Sequence, residues 1–551
     1  MNPLNPENQS MSTSNYSSVS HKALLVFLLI TALLLRIIFL GYSPLNHTES
    51  ENALNAGVVL DCFEKLSWVD GLWKLWHTFL NNNNPLMQAI IFNVPIAAVF
   101  GLNEIGIRLN AVMGGFFSLL FAYLLIKRHA DSSTALFALA LLVFNPFLIA
   151  FNRFGHTDSL QAAVLLAGLL SIDKFNSSAK PKYGFLVLSS FLFAIAFLLK
   201  YNAAVMILLM LILYHFLFGL KLKDVVLTIF LIPVFTGILF IDQIDKFVNS
   251  IFTSAAYVKI SACSEMGSFL QQKAKGIAFD TVFFIKAHVR YFEYTLFPLL
   301  TGILFWRKIE NKFFRFLIIF SGIYFVYLIF QGRTFHRYLL IGTLMATTVL
   351  AFPIRRFSGR MHYYGGIVFL AFFVLWSFYS HRTYVSILHH HIPYSYIVQR
   401  ANEIRGPGRI LLFGRNAETE FYFSPDGKLI YDTRKDPCLH DAILVDKYPT
   451  WTDPIRKMQP LRTNLMDPAI SRSGDILVVT GKQMAGGEPV LRLNTADGKI
   501  RRMYRHELES VSKFYKEYNT DNKLQQEYTL IEKIFLTNGS KELAALILRK
   551  N

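Results

Sequence analysis

The chain has 551 residues, of which 53% are hydrophobic and 17% are charged, and its formal net charge is +18. A soluble globular domain carries about a quarter of its residues as charges, so this composition argues against a soluble protein. Much of the basic excess lies in short loops between apolar runs, which indicates membrane topology rather than binding to nucleic acid. The three cysteines, Cys62, Cys263 and Cys438, lack the paired spacing of a zinc or redox site.

Repeated apolar runs predict a polytopic α-helical membrane protein. A helix of about 20 apolar residues crosses a bilayer. We predict spans at residues 24–40, 105–126, 134–151, 159–172, 183–199, 203–220, 225–241, 289–306, 316–330, 338–353 and 366–379. Segment 85–100 is apolar but short, and Gln88, Asn93 and Pro95 interrupt it, so we predict that it re-enters the membrane without crossing. The total is about 11–13 helices.

The basic residues lie on alternate connecting loops, which sets the orientation. Lys127 and Arg128 belong to the loops that the positive-inside rule assigns to the cytoplasm. The polar N-terminus, residues 1–22, is then cytoplasmic, and its Ser- and Asn-rich composition predicts disorder. Residues 23–382 form the predicted membrane domain, with external loops at 41–104 and 242–286. By this orientation the three cysteines fall on the outer side, which for the inner membrane of a bacterial cell is the oxidising periplasm.

The C-terminal part, residues 383–551, has the composition of a soluble domain. Short aliphatic runs bounded by Gly, Asp and Pro, at residues 409–413, 442–445 and 475–480, predict buried strands. Residues 542–548 fit a further strand or a short helix. We therefore predict a small α/β domain on the extracytoplasmic side.

Two acidic sites fall on the same predicted membrane face. Glu49 and Glu51 follow the first span, and Asp158 begins a later span, five residues after Arg153. The structural alternatives are solvated loop carboxylates and a helix-start carboxylate that the helix dipole favours. Carboxylates at one membrane face suit proton transfer on a lipid-borne substrate.

Basic residues also occur on that face. Lys200 ends a span and has the alternative interpretation of an interfacial anchor that snorkels. Arg333 and Arg337 flank His336 and precede Tyr338, on an outer loop where the positive-inside bias disfavours arginine. Arginines in this position are typical of an anion site, and a phosphate at the membrane–water boundary is the natural ligand. Three consecutive histidines, at 389–391, do not converge on one ion in regular structure, so no metal is predicted.

The order of these motifs resembles GT-C-fold glycosyltransferases, in particular bacterial relatives of protein O-mannosyltransferases and of the lipid A aminoarabinose transferase. Such enzymes carry an acidic motif in the first external loop, a His-Pro-Pro-Leu-like motif, a Phe-Gly and Arg-Leu pair, an Arg with an Asp five residues later, and a late basic-Tyr motif. The counterparts here are Glu49/Glu51, Asn84-Pro85-Leu86, Phe100-Gly101, Arg108-Leu109, Arg153 with Asp158, Lys200 and Arg337-Tyr338. Thr48 or Ser50 stands where an Asp is expected, and Asn84 replaces the His, so the alignment leaves both Glu49 and Glu51 as candidates.

The resemblance implies transfer of a hexose or pentose from a polyprenyl-phosphate-linked donor to a lipid, glycan or protein acceptor in the cell envelope, for example lipopolysaccharide. Glu49, Glu51 and Asp158 are then the catalytic candidates. The residues expected to bind the donor phosphate are Arg153, Lys200, Arg333, Arg337 and Tyr338, with Asn84, Arg108 and His336 as weaker candidates for substrate binding. A monophosphate donor can be neutralised by Lys and Arg alone, so no cofactor is expected. A pyrophosphate donor more often needs a divalent metal ion, and the sequence leaves that alternative open. A flippase for a lipid-linked intermediate and a non-catalytic assembly protein are the alternatives, although the charges lie at one face and no inverted repeat is visible.

Overall fold

The computed structural model describes most of the helices predicted for the membrane domain and part of the C-terminal region. It covers residues 7–38, 40–41, 45, 49–50, 52–53, 56–57, 60, 63, 93–200, 202–239, 294–330, 336–354, 360–380, 392–406, 410–413, 422, 473–480, 482–483, 490–493, 500–503, 506–507, 509–536 and 542–551. The chain divides into two compact units. Unit 1 comprises Met1–Ile38, Leu109–Ile244 and Ser261–His381, and unit 2 comprises Phe39–Arg108, Asp245–Ile260 and Arg382–Asn551. The region after the first span thus groups with the C-terminal domain, whereas the sequence analysis assigned residues 41–104 to the membrane domain.

The described part of the chain is mostly helical. In chain order the helices are α1 (Glu7–Ile37), α2 (Val94–Phe100), α3 (Glu104–His129), α4 (Ser132–Val143), α5 (Pro146–Phe151), α6 (Thr157–Asn176), α7 (Tyr183–Leu199), α8 (Ala203–Phe218), α9 (Leu222–Leu239), α10 (Leu296–Phe305), α11 (Lys312–Phe330), α12 (Leu340–Val349), α13 (Ala351–Ile354), α14 (Arg360–Ser380), α15 (Tyr394–Arg405), α16 (Glu509–Thr520) and α17 (Asn522–Glu527). A 3₁₀ turn, His336–Leu339, precedes α12.

Two helices differ from the sequence prediction. Helix α1 begins at Glu7, so the segment predicted to be disordered continues the first span as helix. Ser and Asn cost a helix only a few tenths of a kcal/mol each, and the adjoining apolar turns supply the nucleus. The span predicted at 134–151 is two helices, because Asn145 caps α5 by accepting from the Leu148 amide and Pro146 occupies its first turn.

Small residues set the closest helix contacts in unit 1. Helix α6 packs against α7, and a Cβ added at Gly168 would lie 2.5 Å from the Phe193 ring. Helix α3 approaches α6 as closely, since a Cβ at Gly114 would lie 2.6 Å from the Leu160 amide nitrogen. Glycine at such contacts lets helix backbones meet, which is the usual packing of helices in an apolar solvent.

Among the described helices, α3 is long and apolar enough to cross a membrane, with 26 residues and a mean hydropathy of 2.0. The described helices also include shorter apolar ones of 10–17 residues, among them α4, α7, α8 and α10. Several large apolar side chains face outward, such as Phe230 (63% exposed), Leu304 (76%) and Leu375 (71%). Helix α2 is about 10 Å long, which is too short to cross a bilayer. The predicted loop at 242–286 lies outside the described residues.

Unit 2 contains the β-strands of the described region. They are β1 (Ile410–Phe413), β2 (Ile476–Thr480), β3 (Lys482–Gln483), β4 (Val490–Leu493), β5 (Ile500–Met503), β6 (His506–Glu507), β7 (Tyr528–Phe535) and β8 (Leu543–Lys550). Four of them form a sheet with the order β1-β2-β8-β7. Strands β1 and β2 are parallel, while β8 is antiparallel to β2 and β7. The runs expected as strands at 409–413 and 475–480 are therefore strands, and 542–548 is a strand; residues 442–445 lie outside the described residues.

Both faces of this sheet are covered, which explains its aliphatic runs. Ile476 and Val478 pack with α15 on one face, and Leu477 and Val479 pack with α16 and α17 on the other. A strand buried on both faces has no polar side, so its sequence does not alternate. The expected α/β layering of the C-terminal region is thus present in its described part.

Candidate active site

Three residues selected from the sequence lie together in unit 1. Asp158 is in the first turn of α6, and Lys200 directly follows α7. The Lys200 Nζ is 2.5 Å from Asp158 Oδ1 and 3.8 Å from the centroid of the Tyr338 ring. The Asp158 side chain is 8% exposed and that of Lys200 is 18% exposed. An ammonium held between a carboxylate and an aromatic face is a preorganised, largely buried cation.

Backbone contacts explain why Lys200 meets Asp158. Gln161, one turn into α6, donates from Nε2 to the Lys200 carbonyl at 2.9 Å and to Asn202 Oδ1 at 3.0 Å. The same side chain reaches the Ala196 carbonyl at 3.3 Å. A single buried amide thus fixes the turn between α7 and α8 against the start of α6. The positive end of the α6 dipole also favours the Asp158 carboxylate at this position.

The turn between α5 and α6 is equally constrained. Asn152 accepts from the Ser159 hydroxyl at 2.9 Å, which closes the turn that carries Arg153. A Cβ at Gly115 would lie 2.5 Å from the Asn152 side chain, so α3 needs glycine at that level. On the Tyr338 side, the Tyr324 hydroxyl donates to the Tyr338 carbonyl at 2.8 Å. Hydrogen bonds therefore hold the backbone at or next to each of the three clustered residues.

A second carboxylate site lies within unit 2 and is an ion pair. Arg108 donates from Nε to Glu49 Oε1 and from Nη2 to Glu49 Oε2, both at 2.9 Å. Its Nη1 donates to the Leu40 carbonyl at 2.8 Å. The Arg108 side chain is 4% exposed and the Glu49 side chain is 0% exposed. This bidentate, buried geometry holds the segment after the first span against the start of α3.

Tyr422 ties the C-terminal region to that same segment inside unit 2. Its hydroxyl donates to Glu104 Oε1 at 2.7 Å and accepts from the Leu45 amide at 2.8 Å. Its ring stacks on Tyr394 with centroids 5.3 Å apart. Burial, reinforced by the Glu104 charge, raises the pKa of Tyr422, so the phenol stays protonated. The sequence offered no signal for this contact, because 377 residues separate Leu45 from Tyr422.

A third charged cluster occupies the other end of α6. Asp173 accepts from Arg128 Nε at 2.5 Å and lies 2.9 Å from His129 Nε2. Fifteen helical residues separate Asp158 from Asp173, so the two clusters are roughly 22 Å apart along α6. The basic residues at 127–129 thus lie at the opposite end of unit 1 from Lys200.

The remaining predicted site residues differ in what the structure describes. Glu51, Asn84 and Arg333 lie outside the described residues, and His336 and Arg337 lie in the 3₁₀ turn without described side chains. Arg153 lies in the turn between α5 and α6. Arg108 donates to Glu49, and its expected contact with substrate stays a prediction. That Glu49 and Asp158 share one membrane face stays a prediction, as does the role of every site residue. In the described part of the chain, no group of three His, Cys, Asp or Glu residues is arranged to hold a metal ion.

Comparisons with known proteins support the resemblance. Residues 83–241 match the profile of the family described as dolichyl-phosphate-mannose-protein mannosyltransferase. ArnT from Cupriavidus metallidurans bound to undecaprenyl phosphate has a similar structure, with a TM-score of 0.55 and 11% identity over 95% of this chain and 97% of that chain. The apo form of that ArnT gives a TM-score of 0.54 and 11% identity over 96% and 98% of the two chains. A comparison with curated protein sequences found no match.

These matches confirm the predicted resemblance to GT-C-fold glycosyltransferases. At 11% identity the structural likeness establishes the fold. The profile match covers the segment that carries Arg108, Arg153, Asp158 and Lys200. The oligosaccharyltransferase of Archaeoglobus fulgidus tethered to an acceptor peptide is a more distant likeness, with a TM-score of 0.48 and 12% identity over 80% of this chain and 61% of that chain.

Proposed function

We propose that this protein is a membrane glycosyltransferase that moves a sugar from a polyprenyl-phosphate-linked donor to a hydroxyl of a lipid, glycan or protein acceptor. The observation that carries the proposal is the Asp158–Lys200–Tyr338 cluster, a held cation beside a carboxylate at one end of a helical unit. The fold shared with an ArnT that binds undecaprenyl phosphate supports the choice of donor.

The outward-facing apolar side chains of unit 1 support a bilayer as its surroundings. Monomeric soluble proteins rarely expose such residues over several neighbouring helices. The separation of the basic cluster at Arg128 from the Lys200 end of α6 matches the positive-inside rule if Lys200 faces outward. We propose that the reaction takes place at the outer face of a bacterial inner membrane, with the C-terminal domain in the periplasm.

The chemistry requires a base and a cation. An acceptor oxygen attacks the anomeric carbon of the donor sugar, the bond from that carbon to the phosphate oxygen breaks, and polyprenyl phosphate leaves with the bonding electrons. The acceptor proton passes to a carboxylate, and positive charge stabilises the phosphate as it departs. Preorganised cations are effective here because they need no rearrangement during the reaction.

The structure suggests different roles for the carboxylates. Both oxygens of Glu49 accept from the Arg108 guanidinium, so Glu49 is better suited to hold its segment than to receive a proton. Glu51, two residues later, is then our candidate for the general base. Asp158 accepts from Lys200, and we propose that it positions the ammonium for the leaving phosphate. Tyr338 supports the same ammonium through its ring. Arg153, Arg333 and Arg337 remain candidates for additional phosphate contacts.

The test is sugar transfer by purified full-length protein from synthetic polyprenyl-phosphate donors. Glu51→Gln should lower kcat about 10²–10⁴-fold, the usual contribution of a general base. Asp158→Asn should lower kcat about 10²–10³-fold, as loss of an electrostatic contact to the transition state does. Asp158→Glu should recover part of that loss, since it keeps the negative charge and can still hold Lys200. The exposed Glu403 offers a matched control, and Glu403→Gln should act as wild type. Near-normal turnover in both Glu51→Gln and Asp158→Asn would refute these roles.

A further inference from the structure

Arg36, near the end of α1, is fully buried although its guanidinium is only partly bonded. Its Nη1 donates to the Ala32 carbonyl of its own helix at 3.0 Å. Within the described part of the chain, its Nε and Nη2 have no hydrogen-bond partner. A guanidinium stays charged in proteins. A buried charge without a counter-ion is strongly unfavourable, so this arginine calls for an anion.

The unpaired atoms form one edge of the guanidinium. Arg108 shows in the same molecule what that edge binds, because its Nε and Nη2 hold the two oxygens of the Glu49 carboxylate at 2.9 Å each. The corresponding edge of Arg36 is thus a bidentate site for two oxygens of an anion. In contrast to Arg108, Arg36 donates no hydrogen bond from Nε or Nη2 to a carboxylate among the described residues.

The surroundings of Arg36 add positive charge. Helix α1 packs against α4 and α5, and Arg153 follows α5 closely enough for its charge to repel that of Arg36. Two cations that repel each other form an environment that an anion stabilises.

We infer that Arg36, together with Arg153, forms a subsite for the phosphate group of a lipid-linked substrate. This inference rests on the proposed function for the choice of phosphate over another oxyanion. The site is separate in its donors from the Asp158–Lys200 pair, whose ammonium is already held by a carboxylate. It assigns a ligand to a buried charge that the proposed reaction chemistry does not otherwise use.

The test compares binding of undecaprenyl phosphate by full-length variants in detergent, measured by titration and by thermal shift. Arg36→Met should bind undecaprenyl phosphate about 10–100-fold more weakly, as expected for loss of charge-assisted hydrogen bonds. Without ligand it should melt at or above the wild-type temperature, since it removes a buried charge that lacks a partner. Arg36→Lys keeps the charge but loses the two-donor edge, so its affinity should be intermediate.

The matched control is Arg315→Met, at the start of α11. Asn311 just before α11 donates to the His129 carbonyl, so this arginine lies at the opposite end of unit 1. Arg315→Met should bind undecaprenyl phosphate as wild type does. Wild-type affinity in Arg36→Met, failure of that variant to fold, or no stabilisation of the wild type by any phosphate would each overturn the subsite.

Further ligands identify the source of the phosphate. Undecaprenol, which lacks the phosphate, should not distinguish Arg36→Met from wild type. If inorganic phosphate alone stabilises the wild type as strongly as undecaprenyl phosphate, and does so through Arg36, the lipid-linked part of the inference is wrong. Because the readout is binding, it is independent of turnover. Failure of the proposed function would show as a wild-type protein that binds undecaprenyl phosphate through Arg36 but transfers no sugar.

Discussion

Replacing Glu49 by Gln tests whether this carboxylate acts as a structural anchor. The change preserves shape but leaves Arg108 buried without its counter-charge, and the new amide NH₂ faces a guanidinium donor. Removing one partner of a buried ion pair costs about 3–5 kcal/mol. For a unit of some 250 residues that corresponds to a fall in Tm of roughly 6–20 °C. The large value follows from the exposure of the two side chains, which is 4% for Arg108 and 0% for Glu49.

The assay is unfolding of purified full-length protein in detergent. The exposed Arg400–Glu403 pair provides the comparison, because its side chains are 35% and 45% exposed although its N–O distance is 2.5 Å. Glu403→Gln should cost about 0–1 kcal/mol, the usual value of a surface ion pair. A double variant with Leu at position 49 and Met at position 108 should recover most of the stability, since apolar replacement of a buried pair is often neutral.

Two results would refute the reasoning. A Glu49→Gln protein within 1 kcal/mol of wild type would show that the buried pair behaves like the exposed one. A double variant no more stable than Glu49→Gln would show that Arg108 is not the source of the cost. A stable Glu49→Gln protein that lost transfer would instead make Glu49 the base and exclude the role proposed for Glu51.

Three further outcomes follow from the geometry. Gly114→Ala places a Cβ 2.6 Å from the Leu160 amide nitrogen, which forces α3 away from α6, and this should cost about 1–3 kcal/mol of stability and lower turnover. In the control, Gly322→Ala, the added Cβ meets nothing within 4 Å. Turnover should stay unchanged, and stability should be equal or up to about 1 kcal/mol higher. Tyr422→Phe leaves the buried Leu45 amide without its acceptor and should cost about 1–3 kcal/mol, with faster limited proteolysis of the C-terminal region; wild-type cleavage would contradict it. Lys200→Met should lower kcat about 10²–10³-fold with unchanged membrane insertion, and full turnover would show that the lysine only anchors its helix at the membrane surface.

The sequence predicts the parts of the fold that depend on short, local residue patterns. Aliphatic runs bounded by turn residues predict β1 and β2, and apolar length predicts α3, whereas residues 542–548, which form β8, fit either a strand or a short helix. The break between α4 and α5 also has a local signal, Asn145-Pro146, an N-cap followed by Pro in the first turn, although the length of the apolar run favours a single span. Strand β7 was missed because its sequence, YTLIEKIF, mixes charged with apolar residues, as expected at the edge of a sheet.

The site shows the same division. Asp158 and Lys200 are charged residues at the ends of predicted spans, and Tyr338 belongs to the Arg337-Tyr338 pair that resembles a family motif. The structure brings the three together. Their contacts are long-range, so spacing in the sequence did not show which carboxylate holds which cation. Arg108 is an example, because its ion-pair partner Glu49 lies 59 residues earlier in the chain. The unpaired edge of Arg36 depends on burial, which composition does not reveal.

The most direct measurement of the central claim is the fate of a synthetic polyprenyl-phosphate sugar given to the purified protein in vesicles. A glycosyltransferase should release polyprenyl monophosphate in equal amount to the glycosylated acceptor, and Glu51→Gln and Asp158→Asn should abolish both products together. Recovery of intact donor on the opposite leaflet, with no polyprenyl monophosphate formed, would contradict transfer and identify a carrier of lipid-linked sugars instead.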